Sequence, residues 1–322
     1  MFETWGPLLG GMILLIAGGD LLVRGAVQLA TRMGVSPLVI GLTLVGFGTS
    51  TPELVTSVQA GLSGAPGIAY GNVVGSNIAN VLLIGGVAAL LFPIAVTSAA
   101  LKRDGGVMIA TALIFVLVAM FLPAGRLVGT VFVAALAGYL WMAFRQESTG
   151  TDGHGAAADK QLALEGADPG IAKGGGGIGA LLIALAGLVL VVVGGRFLVG
   201  GAVTLAEGLG ISEAVIGLTV VAVGTSLPEL VTSVVAGLKR QGEVAFGNIV
   251  GSNIYNILGI SGATALIAPG PVPEQIARFD APLMLAVTAL LVALAATGLR
   301  IARWEGALLL AGYVGYVWWI WP

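Results

Sequence analysis

The chain contains no cysteine and a single histidine, His154. Disulfide staples, thiolate nucleophiles and soft-metal thiolate sites are therefore excluded, and zinc or copper centres are disfavoured. Charge is scarce too. Lys and Arg number 14 and Asp and Glu 16 in 322 residues, or 9% of the chain against roughly 25% in soluble domains. So few charges cannot cover a soluble protein of this size, which excludes an ordinary cytosolic enzyme. A net charge of −2 lacks the basic footprint of a nucleic-acid binder. An intramembrane hydrolase lacks support because there is no HExxH motif and no Ser–His pair at membrane depth.

What is abundant is apolar sequence, 57% of residues with a mean hydropathy of +1.03, and glycine, 52 residues or ~16% against a usual ~7%. A hydrocarbon core of ~30 Å needs about 20 apolar residues per helix. Ten runs qualify: 7–30, 38–62, 67–93, 105–122, 127–144, 177–204, 214–238, 243–268, 282–299 and 305–321. The first does not read as a signal peptide, since MFETWG has no Lys or Arg and the apolar run continues past Asp20 and Arg24. Alternate loops divide the basic residues unevenly. Arg32, Lys102, Arg103, Arg145, Lys160, Lys173, Lys239, Arg240, Arg300 and Arg303 fall on one side, and Arg126 and Arg278 on the other. The positive-inside rule puts the richer side in the cytoplasm and both termini outside the cell membrane. Trp318, Trp319 and Trp321 suit an interfacial belt. Residues 145–176, which include His154, are polar and without period, and are expected to be a flexible cytoplasmic linker.

An internal repeat organises the rest. A shift of 176 residues aligns GLTLVGFGTSTPELVTSVQAGL (41–62) with GLTVVAVGTSLPELVTSVVAGL (217–238). The same shift aligns AYGNVVGSNIANVLLIGG (69–86) with AFGNIVGSNIYNILGISG (245–262). Residues 41–86 and 217–262 share 29 identities in 46 positions without a gap, and the register still holds at Asp104 and Asp280. Five spans per half is an odd number, so the halves must cross the membrane in opposite senses. The expected fold is an all-α polytopic membrane protein of ten transmembrane helices. Residues 1–144 and 177–322 would form two inverted-topology repeats of five, with a substrate site near the midplane where they meet.

The best-matched segments carry the polar residues. Glu53 and Glu229 occupy equivalent places deep in the second and seventh spans, where carboxylates are costly and mark ion pathways. Pro52 and Pro228 precede them and remove the helix hydrogen bonds to the Gly48 and Gly224 carbonyls. Backbone oxygens near that break, Gly46 and Ala222 among them, become candidate ligands. Thr49, Ser50, Glu53 and Ser57 share roughly one helical face, and Thr225, Ser226, Glu229 and Ser233 repeat it. In the second motif Asn72, Ser76 and Asn80 recur every fourth residue, as do Asn248, Ser252 and Asn256. Gly71/Gly75 and Gly247/Gly251 form GxxxG stripes for close helix approach, and the asparagines could equally bond between helices. Asp20 and Arg24, four apart, are expected to pair along the first span with a structural or gating role.

An oxygen-only site with two carboxylates suits a hard cation. Ca²⁺ takes six to eight oxygens in irregular geometry and matches the charge of Glu53 and Glu229. Na⁺ ions or two protons could neutralise the same pair, and competition of this kind is the physical basis of exchange. At these residues the chain resembles the sodium/calcium exchanger branch of the cation/calcium exchanger superfamily. The resemblance implies that Glu53 and Glu229 are the central Ca²⁺-binding carboxylates. Thr49, Ser50, Ser76 and Asn80 would complete one half-site, with Thr225, Ser226, Ser252 and Asn256 opposite. Gly46 and Ala222 would add carbonyls. Spans one and six would slide across a rigid core to alternate access. Transported Ca²⁺ and Na⁺ then take the place of any cofactor. Several relatives, potassium-dependent members included, have Asp at the position of Asn256, which argues against K⁺ coupling. The linker is also too short for the calcium-sensing domain inserted there in eukaryotic exchangers. A Ca²⁺/H⁺ antiporter using the same carboxylates, and a passive cation channel, are the alternative readings.

Overall fold

The computed structural model describes residues 2–33, 48–149, 177–238 and 242–321. Its long elements are α1 (Phe2–Arg32), α2 (Thr51–Leu62), α3 (Pro66–Leu91), α4 (Leu101–Phe121), α5 (Arg126–Thr149) and α6 (Gly177–Leu209). They continue with α7 (Glu213–Thr225), α8 (Leu227–Leu238), α9 (Gly242–Ile267), α10 (Ile276–Ala296) and α11 (Arg303–Ile320). Among the described residues seven helices are long and apolar enough to cross a membrane, and α7 with α8, bent by 47° at their break, makes an eighth. Of the remaining two expected spans, α2 starts at Thr51 with residues 34–47 outside the described set. The other, α11, carries Arg303 and Glu305 in its first turn. Gly46, most of the 145–176 linker and His154 also lie outside the described residues.

The interior is apolar as in a soluble bundle, but it also encloses the polar motifs, and the surface is apolar too. The two helices that carry the asparagine motifs are the innermost. In α3 83% and in α9 89% of the most apolar window is buried, against 22% in α6. Nearly all the Ser, Thr, Asn and Glu of the repeated motifs are buried, while Leu, Ile, Val and Trp dominate the exposed face. That exchange is what an apolar solvent demands, since only satisfied or functional polar groups belong inside.

Glycine sets how α1 meets α6. A Cβ placed on Gly11 would lie 2.5 Å from the Leu198 nitrogen, one on Gly18 2.8 Å from Val191 N, and Gly25 faces Ala184. From the other helix, Gly201 would meet Leu8 N at 2.8 Å, Gly194 would meet Leu15 N at 2.8 Å, and Gly187 faces Leu22. Each pair of residue numbers sums to 209, so the helices run antiparallel, backbone against backbone, from residue 8 to residue 25 of α1. Gly11, Gly18 and Gly25 are the 176-residue equivalents of Gly187, Gly194 and Gly201, so the contact is two-fold symmetric.

The halves also clasp each other at short strands. Ile94–Ala95 (β1) pairs antiparallel with Arg300–Ile301 (β2), Ile94 opposite Ile301 and Ala95 opposite Arg300. An isolated bridge joins Ala124 to Gly270, the equivalents of residues 300 and 94. Close packing at the expected GxxxG stripe is present too. Gly71 and Gly75 in α3 would meet the Ala214 oxygen and the Leu218 oxygen of α7 at 3.0 and 2.5 Å if they carried a Cβ.

Candidate functional site

The two helix breaks have nearly identical geometry. Ser50 adopts φ −84°, ψ 6° and Ser226 φ −84°, ψ 7°, each followed by a residue and then Pro52 or Pro228. Proline lacks the N–H that would continue the ladder, so the turn opens there and the next hydrogen bonds restart from Leu54 N to the Ser50 carbonyl and Leu230 N to the Ser226 carbonyl. Glu53 and Glu229 stand in the first turn beyond the break, 1% and 2% exposed. Helix α1 covers both openings, with Val23 against Gly48 and Met12 against Gly224.

Reciprocal hydrogen bonds link the halves at the carboxylates. Ser226 Oγ donates to Glu53 Oε1 at 3.0 Å, and Ser50 Oγ donates to Glu229 Oε1 at 3.1 Å. Each serine therefore belongs to the opposite half's carboxylate, and the four expected residues Ser50, Glu53, Ser226 and Glu229 form one cluster. Hydrogen bonds to a charged acceptor are the stronger kind, and burial strengthens them further.

The asparagine motifs hold this cluster from behind. Asn72 Nδ2 donates to the Glu53 carbonyl at 3.1 Å and to Ser57 Oγ at 2.9 Å. Asn248 Nδ2 repeats this towards the Glu229 carbonyl at 3.2 Å, Thr232 Oγ1 at 2.9 Å and Ser233 Oγ at 2.8 Å. Thr225 Oγ1 lies 3.0 Å from Asn72 Oδ1, a bond across the halves, and 3.3 Å from the Ala222 carbonyl. Ser76 Oγ reaches the same Asn72 oxygen at 3.5 Å. The Ala222 carbonyl also accepts Ser226 N–H at 3.0 Å, so the proline break does not strip its helix bond.

Asn80 and Asn256 sit at or next to the start of widened π-helical segments, Asn80–Ile84 and Tyr255–Ser261. Such segments re-aim side chains and recur at functional sites. The Asn80 amide donates to Asn253 Oδ1 at 2.9 Å, leaving Asn80 Oδ1 buried without a hydrogen-bond donor. Asn256 Oδ1 and Thr49 Oγ1 are likewise buried and without a partner. These three buried oxygens have unmet hydrogen-bonding capacity, as do others outside the repeated motifs such as Tyr70 and Tyr313, and oxygens of this kind are the type a hard cation accepts. Ser252 is fully buried in α9 between the two asparagines of its motif. Among the described residues no group of three His, Cys, Asp or Glu side chains could hold a metal, so any cation must lean on neutral oxygens. Asn72 and Asn248, which the sequence left open between packing and binding, emerge as the brackets of the carboxylate turns. Their fourfold spacing with Ser76 and Ser252 was visible, but their partners were not.

Outside this cluster, Arg24 Nε lies 3.0 and 2.8 Å from the two Asp20 oxygens, the expected pair along α1. Asp104 and Asp280, in register by the repeat, are both buried. Asp104 pairs with Arg103 at 3.1 Å, and Asp280 accepts the Tyr316 hydroxyl at 2.9 Å.

Comparison with known proteins gives a consistent result. The family described as "Sodium/calcium exchanger protein" matches residues 4–145 and 179–321. The chain is 38% identical to "Sodium/calcium exchanger MaX1" of Methanosarcina acetivorans, with 96% of each chain covered. It is equally 38% identical to "Putative antiporter CaxA" of Alkalimonas amylolytica, again covering 96% of both. Its backbone matches a solved structure of the sodium–calcium exchanger NCX_Mj with a TM-score of 0.63 at 32% identity, over 99% of each chain.

Proposed function

The chain belongs to the sodium/calcium exchanger family, and we propose that it exchanges Ca²⁺ for Na⁺ by alternating access at a site centred on Glu53 and Glu229. The single observation that carries this reading is the reciprocal pairing of Ser226 with Glu53 and Ser50 with Glu229. It ties the carboxylates of the two halves into one place. Two carboxylates there balance one Ca²⁺ in charge, and Na⁺ ions occupying the same oxygens balance them too. Both cation sets therefore compete for one negative charge, and net transport of one requires release of the other.

The remaining ligands in this reading are Thr49, Ser50, Ser76 and Asn80 in one half and Thr225, Ser226, Ser252 and Asn256 in the other. The carbonyls of Gly46 and Ala222 complete the set. The ten-span arrangement of two inverted five-helix repeats, 1–144 and 177–322, accommodates it. In its favour are the antiparallel course of the equivalent helices α1 and α6 and the twinned strand bridges. The termini lie outside and the 145–176 linker in the cytoplasm, on the distribution of basic residues.

Reconstituted vesicles loaded with Na⁺ should accumulate Ca²⁺ when diluted into Na⁺-free medium. Glu53→Gln and Glu229→Gln should each abolish the uptake, because one remaining carboxylate leaves Ca²⁺ under-neutralised. Undiminished uptake in either variant sinks the site. Uptake driven by a pH gradient with Na⁺ absent would replace Na⁺ by H⁺ as the counter-ion, and flux independent of any gradient would mark a channel.

A further inference from the structure

The cluster is symmetric in sequence but not in bonding. Asn72 and Asn248 grip the carbonyls of Glu53 and Glu229 in the same way through Nδ2. Their other ends differ. Asn72 Oδ1 accepts Thr225 Oγ1 from the opposite half at 3.0 Å, whereas Asn248 Oδ1 and its counterpart Thr49 Oγ1 are both buried and both without a partner. A second asymmetry accompanies the first. Val55 of α2 packs against α6, where a Cβ on Gly195 would lie 2.8 Å from its Cγ1. The equivalent Val231 of α8 is 56% exposed, and a Cβ on its counterpart glycine on α1, Gly19, would have Pro52 and Gly48 as its nearest neighbours, at 3.8 and 3.9 Å.

We propose that Asn72 and Asn248 are positioning residues of a two-position latch, in which the Thr225–Asn72 bond holds the state seen here and a Thr49–Asn248 bond holds the opposite access state. The reasoning rests on the exchange reading above and on the repeat. A two-fold related pair of residues cannot differ in bonding unless the molecule has left its symmetric arrangement. Left and right departures then exchange the roles of the two pairs. An unmet donor and acceptor, buried near each other's equivalents, are costly in this state and become satisfied in the other. The latch acts through Asn72 and Asn248 on the Glu53 and Glu229 turns, whose openings α1 covers, so the exchange of one bond for the other accompanies the passage of α1 and α6 across them.

The absence of native cysteine allows a direct test in the full-length protein. Two double variants report the two states: Val55→Cys with Gly195→Cys, and Val231→Cys with Gly19→Cys. Each is crosslinked with copper phenanthroline in ion-free proteoliposomes. The first pair should crosslink preferentially in the parent background. Adding Thr225→Val should shift the ratio of crosslinks towards the second pair, and adding Thr49→Val should shift it the other way. One buried hydrogen bond sets the change at roughly 5- to 30-fold. Thr225→Ser and Thr49→Ser, which keep the hydroxyl, should restore the parent ratio. Asn72→Ala and Asn248→Ala supply an independent pair with the same opposed signs. If threonine and asparagine variants move the ratio in one common direction, or leave it unchanged, the latch is wrong. Opposed shifts without Na⁺-driven Ca²⁺ uptake in the parent would instead keep the latch and overturn the exchange reading.

Discussion

Adjacent glycines on α1 should respond oppositely to the same methyl group. A Cβ on Gly11 would stand 2.5 Å from Leu198 N, 2.7 Å from the Gly194 oxygen and 2.9 Å from Leu198 Cα, all backbone atoms that no rotamer can move aside. Ordinary contact begins at 3.4 Å, so the shortfall is 3.4 − 2.5 = 0.9 Å. The helices must part by about that distance, and a gap of 0.5–1 Å forfeits roughly a quarter to a half of the dispersion at each contact it opens. Overpacking of this kind costs about 1–3 kcal/mol, against which Ala regains about 1 kcal/mol of helix propensity over Gly. Gly10 has nothing within 4 Å of its would-be Cβ, so there only the propensity gain remains. Gly11→Ala and Gly10→Ala should therefore differ by about 1–3 kcal/mol, or roughly 5- to 150-fold in the unfolding equilibrium. Gly201→Ala and Gly200→Ala form the same contrast on α6, Gly201 lying 2.8 Å from Leu8 N and Gly200 facing open space. Thermal unfolding in detergent reads it directly: the Gly10 and Gly200 variants should melt at or above the parent, the Gly11 and Gly201 variants below. Gly11→Ala melting as high as Gly10→Ala would refute the backbone-contact account of the α1–α6 pair.

Other expected outcomes concern the site and its frame. Ser226→Ala and Ser50→Ala each remove a hydrogen bond to a carboxylate, worth about 1.5–3 kcal/mol, and should weaken Ca²⁺ by roughly 10- to 150-fold in concentration-dependent uptake. Loss of both effects would separate the serines from the cation. With Asn256 in place of a third carboxylate, replacing external K⁺ by choline should leave Na⁺-driven uptake unchanged, and K⁺-stimulated uptake would contradict the reading. Tyr316→Phe deletes the hydroxyl that hydrogen-bonds the fully buried Asp280, which should lower stability by about 1–3 kcal/mol in a detergent melt. The same variant should spare Ca²⁺ uptake, because Asp280 and Tyr316 lie outside the Glu53–Glu229 cluster.

How much of this was legible beforehand depends on whether the relevant partner is near in sequence or in the repeat. Duplicated carboxylates at membrane depth point to Glu53 and Glu229, the proline before each announces a helix break, and a shared helical face adds Ser50 and Ser226. The Asp20–Arg24 pair follows from spacing within one helix. Cross-half bonds were not legible, since nothing local says that Ser226 serves Glu53 rather than Glu229. The roles of Asn72 and Asn248 stayed hidden for the same reason. Heptad spacing of Gly11, Gly18 and Gly25 is visible in the sequence, yet with 52 glycines many spacings coexist. Only the facing helix shows that these three are in backbone contact while Gly10 is not.

The same repeat that makes the site recognisable also gives the proposed latch two equivalent halves, of which one is made in the state seen here. If both cross-half threonine bonds formed at once, the two halves would be equally placed and neither side of the membrane would be favoured. With one bond made and its equivalent unmade, the Glu53 and Glu229 turns stay alike while their surroundings differ. The cost of the unmet pair, on the order of one hydrogen bond, is small enough to be reversed by ion binding and large enough to populate one state. An exchanger needs that balance: a much stronger latch would trap one side, and none would leave access unbiased. In the proposed latch the buried, unmet oxygens of Thr49 and Asn248 are half of a reversible pair, with the other half already made between Thr225 and Asn72.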